Sequence, residues 1–236
     1  MPHPLDNPVF SSLTGPHARF AELRGGARRY PVDVSPFLAL PDEPGEGDWA
    51  DAAALAGPGG LLALAGVRAA PPRDWAVTMA AEGVQLTGEG LAVAADPEAV
   101  PLGRADVPEM LALTARTEPG PFLPRTCELG SYLGIRRDGE LVAMAGERMH
   151  PNGWSEISAV CTDAAWRGHG FASRLIRAVG AVIRARGEQP FLHAVATNPA
   201  IGLYERLGFR HRQATVFTAV QVPQAQVAEA RVSEVL

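Results

Sequence analysis

A glycine-rich turn between an apolar run and an amphipathic run constrains this sequence more than any other feature. The run Ile157–Cys161 is apolar and predicts a buried strand. From Phe171 onwards, apolar residues recur at helical spacing, which predicts a helix with one apolar stripe. Between the two lies Arg167–Gly170, which reads Arg-Gly-His-Gly and opens the predicted helix.

A strand, a glycine-rich turn and a helix N-terminus together form an arrangement that binds phosphate groups. The first turn of a helix has backbone N–H groups without partners, and the helix dipole gives that end partial positive charge. Glycines let an anion approach the backbone closely, and Arg167 adds a fixed charge. The alternative is an ordinary turn with a glycine cap.

Two common phosphate-binding motifs do not fit this turn. The dinucleotide fingerprint needs a third glycine where this chain has Ser173, and the P-loop needs Gly-Lys-Ser/Thr. What remains is Arg-x-x-Gly-x-Ala at Arg167–Ala172. Downstream, Asn198–Phe209 reads Asn-Pro-Ala-Ile-Gly-Leu-Tyr-Glu-Arg-Leu-Gly-Phe.

These two segments resemble the signature of the GCN5-related N-acetyltransferase (GNAT) superfamily, in the family's order and at a fitting separation. The sequence Glu-Ile-Ser-Ala-Val-Cys-Thr at 156–162 resembles the corresponding segment of the FR47-like subgroup. Counted back from Ala200, Thr197 rather than Asn198 falls at the position of the motif's asparagine. The resemblance implies an α/β (α+β) fold, with a mixed, mostly antiparallel central sheet and flanking helices. It also implies acyltransferase activity, with acetyl-CoA as the donor.

The resemblance also implies roles for individual residues. Tyr204 is expected to protonate the leaving thiolate, since a phenol with a pKa near ~10 keeps its proton at neutral pH. The alternative is a core tyrosine on an apolar helix face. Backbone N–H groups at a bulge of the strand are expected to polarise the thioester carbonyl. The residues expected to bind acetyl-CoA are Val160, Cys161, Thr162, Arg167, Gly168, His169, Gly170, Phe171, Ala172, Ser173 and Asn198.

Two glutamates are candidates for the base that deprotonates the acceptor amine. Glu147 and Glu156 both lie in runs that otherwise indicate buried strands, and Glu156 ranks first because its strand leads into the glycine turn. A carboxylate among apolar neighbours is costly unless it is paired or functional, and partial burial would raise its pKa. The alternative for either glutamate is a salt bridge, for example to Arg148 or Arg125.

The acceptor is the least constrained part of the prediction. In the family, the region corresponding to Thr117–Thr126 lies over the acceptor site, and three prolines stiffen it here. Phe122 could line an acceptor pocket, and Arg125 could pair with a substrate carboxylate. The alternative is a rigid surface loop.

The length of the chain limits how many domains it can form. The 236 residues allow one large domain or two small ones, and Ala94–Pro101 is the candidate boundary. We expect a smaller α/β lobe over 1–95, either a degenerate acetyltransferase-like half or an unrelated cap. Residues 96–222 are expected to form the catalytic domain, and 223–236 a loose tail.

The net charge of −5 argues against a nucleic-acid surface. No segment approaches the ~20 apolar residues of a membrane helix, and the start does not read as a signal peptide. Cys127 and Cys161 lie far apart and indicate neither a disulfide framework nor a metal site. We therefore expect a cytoplasmic monomer or homodimer without a metal.

The predicted function is transfer of acetyl from acetyl-CoA to the amine of a small molecule or an amino acid, by direct attack without an acyl-enzyme. An alternative is acetylation of a protein N-terminus or lysine. A non-enzymatic CoA-binding sensor is the rival from another class.

Overall fold

The computed structural model describes residues 3–67 and 69–224. Among these, no helix is long and apolar enough to cross a membrane. The helices are α1 (Pro8–Thr14), α2 (Glu46–Ala56), α3 (Val107–Thr117), α4 (Phe171–Ala185) and α5 (Ile201–Leu207). The strands are β1 (Glu22–Arg24), β2 (Ala27–Arg29), β3 (Leu38–Ala39), β4 (Leu61–Ala65), β5 (Ala76–Thr87), β6 (Val100–Leu102), β7 (Tyr132–Arg137), β8 (Glu140–Glu147), β9 (Trp154–Thr162), β10 (Gln189–Val195) and β11 (Arg210–Gln221).

In the described part of the chain, the main sheet has eight strands in the order β4-β11-β5-β10-β9-β8-β7-β6. Strands β9 and β10 pair in parallel, whereas the other neighbours pair antiparallel. A smaller sheet contains β1, β2 and β3. The predicted fold class, a mostly antiparallel mixed sheet with flanking helices, is confirmed.

The beginning of the chain supplies strands to the sheet that its end completes. Strand β5 lies between β10 and β11, and β4 pairs with the other edge of β11. The sheet therefore crosses the boundary predicted near residue 95. The division into an N-terminal lobe and a catalytic domain that fold as separate units stays a prediction. Residues 225–236 of the predicted tail lie outside the described residues.

Different segments cover the two faces of the sheet. Consecutive strand residues point to opposite faces, and Leu192 packs in the core cluster of α4 whereas Phe191 packs with residues of the first forty. Helix α4 lies on β7, β8, β9 and β10. Helix α3 lies on β8 and β9 through a cluster that includes Met144, on the face opposite Ala143.

The dipeptide Asp138-Gly139 lies between two apolar runs, a pattern that predicts a hairpin, and the structure has one there. Asp138 and Gly139 connect β7 to β8 with positive φ angles of 52° and 87°, while Arg137 pairs with Glu140. Two consecutive left-handed residues give the turn that matches the twist of a hairpin, and Asp-Gly is the pair that adopts it most readily. This hairpin fixes the register of β8, which in turn positions β9.

In segment 11–23 the spacing of Leu13, Phe20 and Leu23 predicts a single helix, but the helix there ends at Thr14. Helix α1 begins earlier, where the side chain of Asn7 accepts a hydrogen bond from the backbone N–H of Phe10. It ends at Thr14, before Gly15-Pro16, because a proline ring clashes with the preceding helical turn and lacks an N–H. Only a short 3-10 turn, Ala18–Phe20, and strand β1 follow.

Candidate active site

The two parallel strands of the sheet are joined only near their starts. Trp154, Ser155 and Glu156 of β9 pair with Gln189, Pro190 and Phe191 of β10. Beyond that point β9 continues along β8, whereas β10 continues along β5. The strands thus separate towards their C-terminal ends and leave an opening in the sheet.

A bulge in β9 lies beside this opening. Ser158 and Cys161 pair with Gly146 and Met144, so β9 carries one more residue than β8 in this interval. Within the bulge Ala159 has a φ of 52°, a region that a residue with a Cβ rarely adopts. The bulge lies immediately before Cys161 and Thr162, and it takes backbone groups out of the ladder at the edge of the opening.

The glycine turn is built as the sequence predicts. Gly168 and Gly170 have φ angles of 84° and 76°, and Gly170 stands at the N-cap of the 15-residue helix α4. No side chain caps this helix, and its first turn contains no acidic residue. Its N-terminal N–H groups are therefore not used by a capping side chain, which suits them to an anion.

A cavity of about 460 Å³ lies where the turn, the bulged strand and α5 meet. Most residues predicted to bind the donor line it, and so does Tyr204. Thr162 adds a buried hydroxyl without a hydrogen-bond partner among the described residues. The predicted residues in the lining are Val160, Cys161, Thr162, Arg167, Gly168, Gly170, Phe171, Ala172, Ser173 and Tyr204.

Four further lining residues escaped the sequence analysis: Thr117, Trp166, Ala200 and Leu203. Ala200 and Leu203 belong to the downstream motif itself, and Trp166 precedes the turn, so closer attention to the motif could have found them. Thr117 ends α3, and the sequence placed it only at the start of the segment expected over the acceptor site, not against the donor.

Two predicted donor ligands do not line this cavity. The Nδ1 atom of His169 lies 3.1 Å from the carbonyl oxygens of Trp166 and Arg167, so this side chain folds back on its own turn. Asn198 accepts a hydrogen bond of 2.8 Å from the backbone N–H of Ala200 at the start of α5. Both side chains hold the loops that shape the cavity.

Tyr204 is 8% exposed and lies on α5 with its ring edge-on to Phe209, at 6.2 Å between ring centroids. Burial raises the pKa of its phenol above the ordinary value of 10.0. The hydroxyl therefore keeps its proton throughout the neutral range and can donate it at the cavity.

The thiol of Cys161 is not an activated nucleophile. It is buried in β9, and burial raises its pKa to about 11. A thiol with such a pKa is almost entirely protonated at neutral pH. Cys161 therefore contributes to the wall of the cavity rather than to the chemistry.

Glu156, the first-ranked candidate for the base, lies in a buried ion pair. Its carboxylate is fully buried and accepts two hydrogen bonds from Arg148, of 2.8 and 2.7 Å. His193 Nδ1 lies 2.8 Å from one of its oxygens. Although burial alone would raise the pKa, the charge and hydrogen bonds of Arg148 hold it far below the usual range. This direction is opposite to the expected rise in pKa, and the contacts of Glu156 are those of the salt-bridge alternative, as counter-ion of a buried arginine.

Glu147 is likewise held by an ion pair and hydrogen bonds within the protein. It forms an ion pair with Arg186 and accepts hydrogen bonds from Ser155 Oγ and the backbone N–H of Ser131. Burial acts to raise its pKa, but these partners lower it overall. Neither glutamate belongs to the lining of the cavity.

Arg125 is occupied by carboxylates of the protein. Its guanidinium contacts Asp33 at 3.3 Å and Glu128 at 2.8 Å, and Arg125 holds the pKa of Glu128 down at about 2. The expectation that it pairs with a substrate carboxylate therefore loses its support. Phe122, the other predicted acceptor residue, packs edge-on to Tyr132 and lines a second cavity beside α3.

Comparisons with known proteins place these features in a family. The FR47-like protein family matches residues 132–218. A solved structure from Novosphingobium aromaticivorans, assigned to the GNAT family of acetyltransferases, is 43% identical with a TM-score of 0.85, covering 93% of this chain and 98% of that one.

A GCN5-related N-acetyltransferase from Kribbella flavida shares the fold at 17% identity and a TM-score of 0.59, covering 94% and 96% of the two chains. No curated protein sequence matches the chain. On its likeness to the Novosphingobium protein over nearly the full length, the chain belongs to the GNAT family of acyltransferase enzymes.

Proposed function

We propose that the protein transfers acetyl from acetyl-CoA to the amine of a small molecule by direct attack. The observation that carries this proposal is one cavity lined by the glycine turn, the bulged strand and a protonated tyrosine. These three parts answer the three needs of the reaction: an anchor for phosphates, donors for a carbonyl oxygen, and a proton for a leaving thiolate.

The residues of the turn suit the phosphate end of the donor. Backbone N–H groups at the start of α4 would bind phosphate oxygens, with Arg167 adding a positive charge at the same rim. Thr162 would offer a hydroxyl that has no hydrogen-bond partner in the described part of the chain. Bound acetyl-CoA supplies an acetyl thioester that an amine can attack.

Different groups of the chain then assist the separate steps of the reaction. Backbone N–H groups near the bulge polarise the carbonyl, so that negative charge can develop on its oxygen. Attack forms a C–N bond and breaks the C–S bond, and Tyr204 donates its proton to the sulfur. The nitrogen releases a proton to solvent as the amide forms, the other product is a free thiol, and Tyr204 regains a proton from solvent.

Replacing Gly170 with valine should weaken acetyl-CoA binding at least about 100-fold. The left-handed φ of 76° costs a side chain about 1–2 kcal/mol. Displacing the turn also loses hydrogen bonds to charged groups, worth about 1.5–3 kcal/mol each. Calorimetric titration measures the change.

Gly187→Val is the matched control for this variant. Gly187 also has a positive φ, of 80°, and open space around it, but it follows α4 at the far end from the cavity. It should lose stability while keeping its affinity for acetyl-CoA. Equal affinities for the Gly170 variant and the wild type would contradict the role of the turn.

The pH dependence should follow the acceptor rather than an enzyme carboxylate. The described residues that line the cavity include no carboxylate or imidazole, and Glu147 and Glu156 are held ionised by arginines. The amine must then attack as the free base after losing its proton to water. The value of kcat/KM should rise with pH up to the pKa of each amine, so two amines of different pKa give two displaced profiles. A shared limb at about pH 5–6 would instead indicate an enzymatic base.

Release of free thiol from acetyl-CoA, measured against a panel of amines, amino acids and peptides, tests the proposed function. We expect release with at least one class of small amine and an acetylated product of matching mass. Release with peptides alone would replace the small-molecule acceptor with a protein. Binding of acetyl-CoA without release from any acceptor would reject the proposal.

A further inference from the structure

Asp163 lies at the joint between the bulged strand and the glycine turn. It directly follows β9, which ends at Thr162, and its backbone N–H donates to Val142 O of β8 at 2.8 Å. The 3-10 turn Ala164–Trp166 comes next and leads into the glycine turn. Thr162 and Trp166 both line the donor cavity, so Asp163 stands between two parts of its wall.

The two carboxylate oxygens of Asp163 hold different segments. Oδ1 accepts a hydrogen bond of 3.1 Å from the backbone N–H of Ala165 and so caps the 3-10 turn. Oδ2 accepts a hydrogen bond of 3.0 Å from Nε of Arg116, in the last turn of α3. The next residue of α3, Thr117, lines the donor cavity. One carboxylate therefore connects the α3 wall of the cavity to the wall formed by the strand and the turn.

A carboxylate beside a site for phosphates needs a balancing charge. Hydrogen bonds from the backbone N–H of Ala165 and from Arg116 lower the pKa of Asp163, so its side chain is ionised at neutral pH. A negative charge at this place would repel an incoming anion unless a cation balanced it. Arg116 supplies the cation, although its side chain is 52% exposed, and an ion pair so exposed adds little stability to a fold. The main effect of the pair is then on the charge at the cavity.

We propose that Asp163 is a positioning residue for the donor. Its side chain lies outside the lining of the cavity and acts through the two segments that it holds. The 3-10 turn brings Arg167 and the glycines to the start of α4, and α3 brings Thr117 to the opposite wall. Arg116 keeps the charge of the carboxylate from opposing the phosphates. This inference rests on the binding of acetyl-CoA proposed above.

Two substitutions of Asp163 separate its cap from its charge. Asp163→Ala removes both and should raise the Kd for acetyl-CoA about tenfold in calorimetric titration, with kcat at saturating donor and the KM for the amine nearly unchanged. Asp163→Asn keeps the cap, because asparagine caps as well as aspartate, and should bind acetyl-CoA within about threefold of the wild type. Equal weakening in both variants, or none in Asp163→Ala, would overturn the positioning role.

Asp106→Ala is the matched control for the loss of the cap. Oδ2 of Asp106 accepts a hydrogen bond of 2.9 Å from the backbone N–H of Gly103, and Oδ1 accepts one of 2.7 Å from Arg136. The side chain is 27% exposed, against 25% for Asp163. Asp106 precedes the 11-residue α3, so about 16 Å of helix separates it from Thr117. The control should lose stability in urea but keep its affinity, and an equal loss of affinity would assign the effect of Asp163→Ala to general destabilisation.

Arg116→Gln tests the balance of charge. It leaves the carboxylate without its counter-ion, so the Kd for acetyl-CoA should rise about threefold to fivefold at ~20 mM salt and much less at ~300 mM. Adding Asp163→Asn removes the unbalanced charge and keeps the cap, so the double variant should return to within about twofold of the wild type. A double variant as weak as Arg116→Gln alone would contradict the role of the pair.

Binding and turnover distinguish this inference from the proposed function. Affinity for acetyl-CoA that depends on Asp163, without thiol release from any acceptor, would keep the positioning role and reject acetyl transfer. Thiol release with the same KM for acetyl-CoA in the wild type and in Asp163→Ala would overturn the positioning role and keep the transferase. A wild type that does not bind acetyl-CoA would overturn both.

Discussion

Replacing Glu156 with glutamine should lower the free energy of unfolding by about 3–5 kcal/mol, because it leaves a buried arginine without its counter-ion. The Arg148 side chain is only 12% exposed, and its ion pair with Glu156 lies between the sheet and the N-terminal segment. Its guanidinium also lies over the ring of Phe37, at 5.2 Å from the centroid. Unfolding in urea, followed by tryptophan fluorescence, measures the loss.

The double variant Arg148→Met/Glu156→Leu distinguishes the loss of the ion pair from the cost of leaving one buried charge unpaired. Removing both charges together avoids an unpaired ion, and hydrophobic replacements of buried pairs are often neutral or stabilising. We therefore expect the double variant to recover most of the stability that the single variant loses. A single variant of nearly wild-type stability, with reduced kcat and a lost acidic limb in its pH profile, would restore Glu156 as the base.

The stability difference should also depend on pH in a fixed direction. The pKa of Glu156 is lowered in the folded protein, so the unfolded chain takes up a proton first as the pH falls. The contribution of the pair is then complete above the unfolded pKa of about 4.3 and is lost progressively below it. Wild type and variant should differ fully at pH 7 and converge in acid.

Replacing Tyr204 with phenylalanine should lower kcat about 100-fold to 10,000-fold, the usual contribution of a proton donor. The ring keeps its packing against Phe209, so the Kd for acetyl-CoA should change little. Because burial raises the pKa of the phenol, wild-type turnover should not fall through loss of this proton until the pH exceeds about 10. Steady-state kinetics and calorimetric titration measure the two effects.

Tyr132→Phe provides the matched control for this substitution. The hydroxyl of Tyr132 is buried and has no hydrogen-bond partner among the described residues, and Tyr132 is not one of the residues that line the donor cavity. Its removal should leave kcat nearly unchanged. Equal losses of turnover and of acetyl-CoA affinity in Tyr204→Phe would show that this tyrosine only supports the cavity wall.

Local chemistry made the donor side of the site predictable. Gly168 and Gly170 adopt left-handed backbone angles that favour glycine, and Asp138-Gly139 forms its hairpin for the same reason. The period of the apolar residues after Phe171 gives the buried face of α4. Such features are encoded within a few neighbouring residues, so a sequence displays them directly.

Contacts between distant segments were not predictable in the same way. Strand β5 enters the sheet between β10 and β11 through pairings such as Thr87 with Phe191, more than a hundred residues apart. Arg125 is occupied by Asp33, from the N-terminal segment. Both facts depend on the folded topology, and the second takes away the support for the substrate role that the arginine side chain alone suggested.

A crystal structure of the protein with bound CoA tests the central claim most directly. We expect the pyrophosphate against the backbone N–H groups at the start of α4, with the sulfur beside the hydroxyl of Tyr204 and near the bulge at Ala159. CoA bound elsewhere, or bound with its sulfur away from Tyr204, would contradict the assignment of this cavity as the site of acetyl transfer.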